Sequence, residues 1–274
     1  MKRPELSQAL PPLAVMMATY LISRRTGLIR PGVRLSRRAI LKLGSLGLTG
    51  LATGAWWNRS VARAASAGTL SPALQCVLTP EQTEGPYYIP KEKVRSNIVE
   101  HRHGTPLTLS LAVMDASTCR PIKGAWVDIW HCDAGGIYSG FQSASTGGPP
   151  GDGAGPTDKA TFLRGIQATN AQGLVEFQTI YPGWYRGRTL HIHVKVHLGG
   201  SSGRVVHTGQ LYFSDTLTAR VYRASPYSMR ASARDTFNST DSIYANGGRQ
   251  SMLTVKSNGR GGYTGTITMG VRKN

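Results

Sequence analysis

Apolar side chains recur at every second position, or β-branched residues are enriched, through a series of short runs. These are LTLSLAVMD (107–115), GAWVDIWHCD (124–133), GLVEFQTI (173–180), TLHIHVKVHL (189–198), RVVHTGQLYF (204–213), SMLTVK (251–256) and YTGTITMGV (263–271). Successive side chains of a β-strand point to opposite faces, so a period of two marks strands rather than helices. Gly, Pro, Asn, Asp and Ser bound the runs and supply the turns. Many short strands with few helical patterns predict an all-β fold, a two-sheet β-sandwich with few short helices. One helix is predicted over DTLTARVYR (215–223), where Leu217, Val221 and Tyr222 share helical spacing. Residues 139–160, SGFQSASTGGPPGDGAGPTDKA, are rich in Gly, Pro and Ser and predict a long surface loop. Such loops gather at one end of a sandwich and form its active site.

The N-terminal part reads differently. From Ser36 the sequence SRRAILKLGSLGLTGLATGAWW carries a paired arginine, Arg37 and Arg38, then a short glycine-rich apolar run. Small residues follow near ARAASA at 62–67. The apolar run is shorter than the roughly 20 residues a membrane span needs. A basic start, a short apolar middle and an A-x-A end describe an export signal, and SRRAILK resembles the twin-arginine kind, which exports folded proteins. The predicted organisation is therefore an N-terminal extension and signal over 1–67 and a single β-sandwich domain over 68–274. The expected location is periplasmic or extracellular, with no stable membrane insertion once the signal is removed.

The formal net charge of +18 is uneven. Residues 1–67 carry 11 Lys and Arg against one acid, Glu5, so more than half the excess lies in the segment read as a signal. No Lys/Arg stripe interleaves with aromatics, and the chain lacks a nucleic-acid fingerprint, so nucleic-acid binding is not expected. An oxidising destination permits a disulfide. The spacing of Cys76, Cys119 and Cys132 matches no zinc motif and leaves the pairing open.

In TLHIHVKVHL one face carries Leu190, Ile192, Val194, Val196 and Leu198, and the other carries His191, His193, Lys195 and His197. One face enters the core. The other meets water or faces a pocket, and two imidazoles on it can reach one ion. The flanks strengthen the second reading. Tyr185 follows Pro182 and Gly183, and Tyr138 follows the Gly135–Gly136 turn. Imidazole suits many transition metals, whereas a phenolate is a hard anionic oxygen that favours a highly charged ion such as Fe(III). His131 and His197 are read as outside the ligand set.

These pieces together resemble the intradiol ring-cleavage dioxygenases, the group containing catechol and protocatechuate 3,4-dioxygenases. The matching motifs are GPYY (85–88), GAWVDIWHCDAGGIYSGF (124–141), FLRGIQATNAQGLVEFQTIYPGWY (162–185), R-x-x-H-I-H (188–193) and GQLYF (209–213). The resemblance implies one Fe(III) per chain held by Tyr138, Tyr185, His191 and His193, with Tyr185 and His193 axial. It implies that Arg188 faces the substrate, that Tyr185 leaves the metal and takes a proton, and that Gln210 lies near the oxygen-side pocket. Tyr87 or Tyr88 lines the substrate mouth, with Tyr88 the chosen candidate. The implied reaction opens a catechol-type ring between its hydroxylated carbons with O2, giving a muconate-type dicarboxylate.

Two other readings of the residues stand beside this one: a secreted β-sandwich binding module, and a zinc or copper enzyme using the His-x-His pair. The implied partners are a small aromatic diol and O2. The stretch between Gly68 and Thr79 is too short for the added helical segment through which some relatives dimerise.

Overall fold

The structure is a computed structural model that describes residues 76–147 and 155–273. The segment read as a twin-arginine signal and residues 148–154 of the predicted loop lie outside the described residues. Among the described residues eight strands form two four-stranded sheets. The first holds β1 (Pro106–Asp115), β4 (Leu174–Ile180), β7 (Thr254–Ser257) and β8 (Tyr263–Val271), in the order β4-β1-β8-β7. The second holds β2 (Trp126–Trp130), β3 (Arg164–Ala168), β5 (His191–Leu198) and β6 (Arg204–Tyr212), in the order β3-β2-β5-β6. All neighbours are antiparallel except β1 and β8, which run parallel with Leu107 opposite Tyr263. Among the described residues the α-helices are α1 (Gln142–Gly147), α2 (Asp215–Val221) and α3 (Ser242–Ala245). None is long and apolar enough to cross a membrane.

The two-residue period does what it predicts on the inner faces. Leu107, Leu109, Leu111 and Val113 of β1 and Phe177 of β4 meet Val127 and Ile129 of β2, Ile192, Val194 and Val196 of β5, and Leu211 of β6 in one core. Each side chain removed from water this completely contributes about 1.5–3 kcal/mol. The core fixes the register of β5: a slip of one residue would drive its histidines inward and its valines out.

The outer face of the second sheet departs from a half-wetted strand. His191, His193, Lys195 and His197 are all buried, as are Asp128 and Trp130 on β2 and Gln210 and Tyr212 on β6. The chain N-terminal to β1 lies across that face and pairs with it, for example through Gln82 N–H to the Thr208 carbonyl at 2.9 Å. The alternative posed by the sequence, water or a pocket, is thereby resolved in favour of an interior.

The predicted helix over 215–223 appears as α2, one turn's fraction shorter at its C-terminal end. Strand β3, RGIQA, is not visible as a run because Ile166 is its one large apolar residue. It is specified by pairing with β2, Trp130 opposite Arg164, and by Gly165, where a methyl group would stand 2.7 Å from Ile98. Cys76 and Cys119 form a disulfide with Cα atoms 5.4 Å apart, and Cys132 is a buried free thiol.

His131, just past β2, links the sheets. Its Nδ1 lies 2.8 Å from the Cys132 carbonyl oxygen and its Nε2 lies 2.7 Å from Thr179 Oγ on β4. A carbonyl only accepts, so Nδ1 carries the proton and Thr179 donates to Nε2. Burial, above all, lowers the pKa of His131 to about 4. The unfolded chain takes up this proton near pH 6.5. Acidification from about 6.5 towards 4 therefore favours unfolding at this position, by up to about 1.4 kcal/mol per pH unit. In an NMR titration the His131 ring should remain neutral at pH 5. A midpoint near 6.5 would contradict its role as a neutral pin.

Candidate metal centre

Two glycine turns build the centre. Gly136, at φ 88°, sits in the turn that follows β2, and Gly183 sits in the loop that follows β4. Gly183 N–H donates to the Asp133 carbonyl at 3.0 Å. A methyl group on Gly183 would stand 2.3 Å from that oxygen, and one on Gly136 would stand 2.2 Å from the Trp184 carbonyl oxygen. Neither position tolerates a side chain. The two backbones touch, and the tyrosine that follows each turn is delivered to the same place. Ring centroids of Tyr138 and Tyr185 are 5.6 Å apart.

The Tyr138 turn is held from behind by Arg164 of β3. Its guanidinium donates to the Ser139 carbonyl and Ser139 Oγ at 2.7 and 2.8 Å and pairs with buried Glu92 at 3.5 Å. Tyr87 stacks on Tyr138 with centroids 4.2 Å apart and meets Tyr185 edge-on. Trp130, the cross-strand partner of His193, lies parallel to its imidazole at 4.9 Å. Gly85 closes the far side, its missing methyl leaving room for the His193 ring at 3.1 Å.

Inside this aromatic enclosure three donor atoms converge. His191 Nε2 lies 3.1 Å from His193 Nε2 and 3.5 Å from Tyr185 Oη. His191 Nδ1 lies 2.7 Å from the Thr189 carbonyl oxygen, so it carries the ring proton and Nε2 presents a lone pair to the centre. The Tyr138 hydroxyl and His193 Nδ1 are buried without a hydrogen-bond partner among the described residues.

The electrostatics keep the converging side chains uncharged. Burial lowers the His191 pKa to about 3, assisted by the Arg188 charge, and drives that of His193 well down, assisted by His191. Both imidazoles are therefore neutral. Burial raises both tyrosines, Tyr138 further through its proximity to Tyr185, so both phenols hold their protons; Arg188 works against the rise at each. Among the described residues no group of three His, Cys, Asp or Glu side chains could hold a metal ion, so any ion here depends on the phenols.

The chain matches the family model described as Dioxygenase over residues 83–224. A solved intradiol ring-cleavage dioxygenase from Tetranychus urticae shares 38% identity with a TM-score of 0.67, over 72% of this chain and 95% of its own. The dioxygenase domain of a dioxygenase and carbohydrate-binding protein fusion from Streptomyces sp. SirexAA-E shares 31% identity with a TM-score of 0.52, over 72% of this chain and 99% of its own. The chain belongs to the intradiol ring-cleavage dioxygenase family. A hydroxyquinol 1,2-dioxygenase from Pseudomonas putida DLL-E4, 16% identical with a TM-score of 0.51 over 72% of this chain and 67% of its own, shares the fold. No curated protein sequence matches the chain.

In this dioxygenase the remaining candidates divide. Arg188 Nε donates to Asp241 Oδ2 at 2.8 Å and its Nη2 donates to Gln210 Oε1. Gln210 Oε1 also accepts from the Tyr212 hydroxyl at 3.1 Å, and Gln210 Nε2 donates to the Thr83 carbonyl at 3.0 Å. Gln210 is thus placed to hold Arg188. Tyr88 lies one ring farther out, 4.8 Å from Trp130, with Lys195 Nζ 3.6 Å from its ring centre. Tyr87 is the aromatic that meets both Tyr138 and Tyr185. Adjacent tyrosines in GPYY give sequence reasoning no way to choose between them. His197 bonds towards the Gly203 carbonyl at 3.3 Å, away from the ligand pair. Sequence reading also passed over Trp130, visible only once β2 and β5 are in register, and Asp241, distant along the chain.

A Gly183→Ala variant should separate the two tyrosine loops. The added methyl has no space to move into, so chemical denaturation should show a loss of at least about 1–3 kcal/mol. Unchanged stability would mean the loops do not depend on this contact.

Proposed function

We propose that this dioxygenase holds one ferric ion with Tyr138, Tyr185, His191 and His193 and opens the ring of a catechol-type diol between its two hydroxylated carbons, placing both atoms of O2 in a muconate-type dicarboxylate. The convergence of Tyr185 Oη, His191 Nε2 and His193 Nε2 within hydrogen-bonding distance, buried and uncharged, carries the reading. The unpartnered Tyr138 hydroxyl supports it, since a buried polar atom left unsatisfied costs about 1–3 kcal/mol unless something binds it. Two phenols with two imidazoles suit a hard, highly charged ion better than zinc or copper. Iron bound here would supply the Lewis acidity that lowers the diol's pKa values and the electron demand that opens the ring to O2.

The chain's own groups have separable tasks. Tyr138 and Tyr185 would each give up a proton when the ion binds, so loading releases protons to solvent. Tyr185 is the less buried of the two and lies beside Arg188, which suits it to take a proton back from an arriving diol. Arg188 keeps its charge: burial disfavours it, but Tyr185 and Asp241 outweigh that and raise its pKa. A fixed cation at this edge stabilises the negative charge that develops on the substrate oxygens. The ring wall of Tyr87, Trp130 and Phe141 excludes water, so that charge is felt at low dielectric.

Elemental analysis of the purified protein should find one iron per chain. The protein should show a visible tyrosinate-to-iron band that shifts on anaerobic addition of catechol. Tyr185→Phe should weaken or move the band and reduce turnover. A colourless protein containing zinc, or unchanged colour in the variant, would reject the ligand assignment.

The proposed route to the periplasm or beyond is the twin-arginine one, with catechols released from plant material outside the cell as the substrate class and no membrane insertion after signal removal. The Arg37–Arg38 pair with its apolar run supports this reading, as does the Cys76–Cys119 disulfide, a bond that persists in oxidising compartments. Changing Arg37 and Arg38 to Lys should leave the protein in the cytoplasmic fraction. Unaltered export would remove the basis for an extracellular substrate.

A further inference from the structure

Arg188 is a group that must be aimed. Its charge is permanent, so the surrounding chain sets the direction of the guanidinium rather than its protonation. That direction is fixed largely by one residue outside the span of the family match. Asp241 is 2% exposed. Its Oδ2 accepts from Arg188 Nε at 2.8 Å and from Thr189 N–H at 2.7 Å. Its Oδ1 accepts from the Ile243 and Tyr244 N–H groups, both at 2.8 Å, at the start of α3. Two donors saturate each oxygen, so the carboxylate has one orientation. The same segment is tied down by Asn238, whose Oδ1 accepts from Thr189 Oγ at 2.7 Å and whose Nδ2 donates to the Phe213 carbonyl at 2.9 Å. Charge-assisted bonds of this kind are about twice as strong as neutral ones and directional.

We propose that Asp241 is a positioning residue for ring cleavage: it aims the Arg188 guanidinium at the reacting diol without touching substrate. The proposal rests on the ferric-centre reading above and on the substrate-facing role given there to Arg188. Asp241 sits at one corner of a rigid frame whose other corner is Gln210, on β6. The two acceptors hold Arg188 by Nε and Nη2, which leaves Nη1 as the part of the fork not committed to either.

A purely structural Asp241 would serve only to start α3. Asp241→Asn separates the two roles. Asparagine is as good a helix N-cap as aspartate, so its oxygen still serves Ile243 and Tyr244. Its NH2 group then meets Arg188 Nε–H and Thr189 N–H, donor against donor, and the ion pair is lost. In the iron-loaded enzyme, kcat should fall on the order of 10- to 100-fold, the scale of a misaimed catalytic group, with a smaller change in KM. The visible band should be retained, because the four ligands are intact. Arg188→Gln should lower kcat as well, and Arg188→Gln combined with Asp241→Asn should be no slower than Arg188→Gln alone. Unchanged kcat in Asp241→Asn, an additive double variant, or loss of the band would each overturn the proposal. Unchanged kcat in Arg188→Gln would instead strike the role assigned to Arg188 in the ferric-centre reading. Asp241→Ser, which keeps a side-chain cap but no carboxylate, is the second variant should Asp241→Asn not fold. Failure of both to fold would make Asp241 structural and would equally overturn the proposal.

Discussion

The centre depends on a contact in which no side chain takes part. Where the turn after β2 crosses the loop after β4, Gly183 and Gly136 bring two backbones within hydrogen-bonding distance. Everything delivered by those segments, Tyr138 on one and Tyr185 on the other, inherits its position from that crossing. The histidines come from elsewhere, a strand locked in register by its own inner face. Two rigid sources, a strand and an interlocked pair of turns, thus supply two of the four proposed ligands each. A cluster assembled this way is preorganised by packing.

This architecture explains which features were legible in the sequence. Inner-face alternation announces β1, β4, β5, β6 and β8 because burial on one side imposes a period of two. It does not announce β3, whose place is set by cross-strand pairing and a missing methyl group at Gly165. The outer face of β5 is ambiguous by pattern, since imidazoles every second residue suit water or a pocket equally; the covering chain from Gln82 to Tyr88 decides it. Turn and strand signals draw notice to Tyr138, Tyr185, His191 and His193, and the family resemblance is what groups them; the structure brings the four side chains together. Tyr87 and Trp130 are not legible, because their roles arise from contacts across elements. Only the three-dimensional path of the chain buries Tyr87 and places it, rather than the partly buried Tyr88, over Tyr138.

The charge balance constrains what the centre accepts. Two neutral imidazoles and two protonated phenols lie beside a permanent guanidinium, and the carboxylate that answers the guanidinium shares one oxygen between it and the Thr189 N–H. Burial holds the phenol protons on, so the hollow prefers neutrality until a cation arrives. A trivalent ion that displaces both phenolic protons leaves a net charge near +1, which a dianionic diol overcompensates by about one unit. A divalent ion under the same exchange would be neutralised by the phenolates alone and would have less attraction for such a substrate. Under the proposed ferric reading, the ligand set would couple the choice of ion to the choice of substrate.

The chain that follows the matched family span extends this logic. Residues 225–253 contribute no ligand, yet Asp241 and Asn238 reach back to grip Arg188 and Thr189. Thr189 in turn gives its carbonyl to His191 Nδ1. One segment therefore braces the Arg188 guanidinium and, through the Thr189 peptide, the proton position on the His191 imidazole. Because both bonds from Asp241 Oδ2 leave the same atom, Arg188 cannot swing without disturbing the Thr189 backbone. Arg188 and His191 are thereby held to a common hydrogen-bonded frame through Asp241 and Thr189.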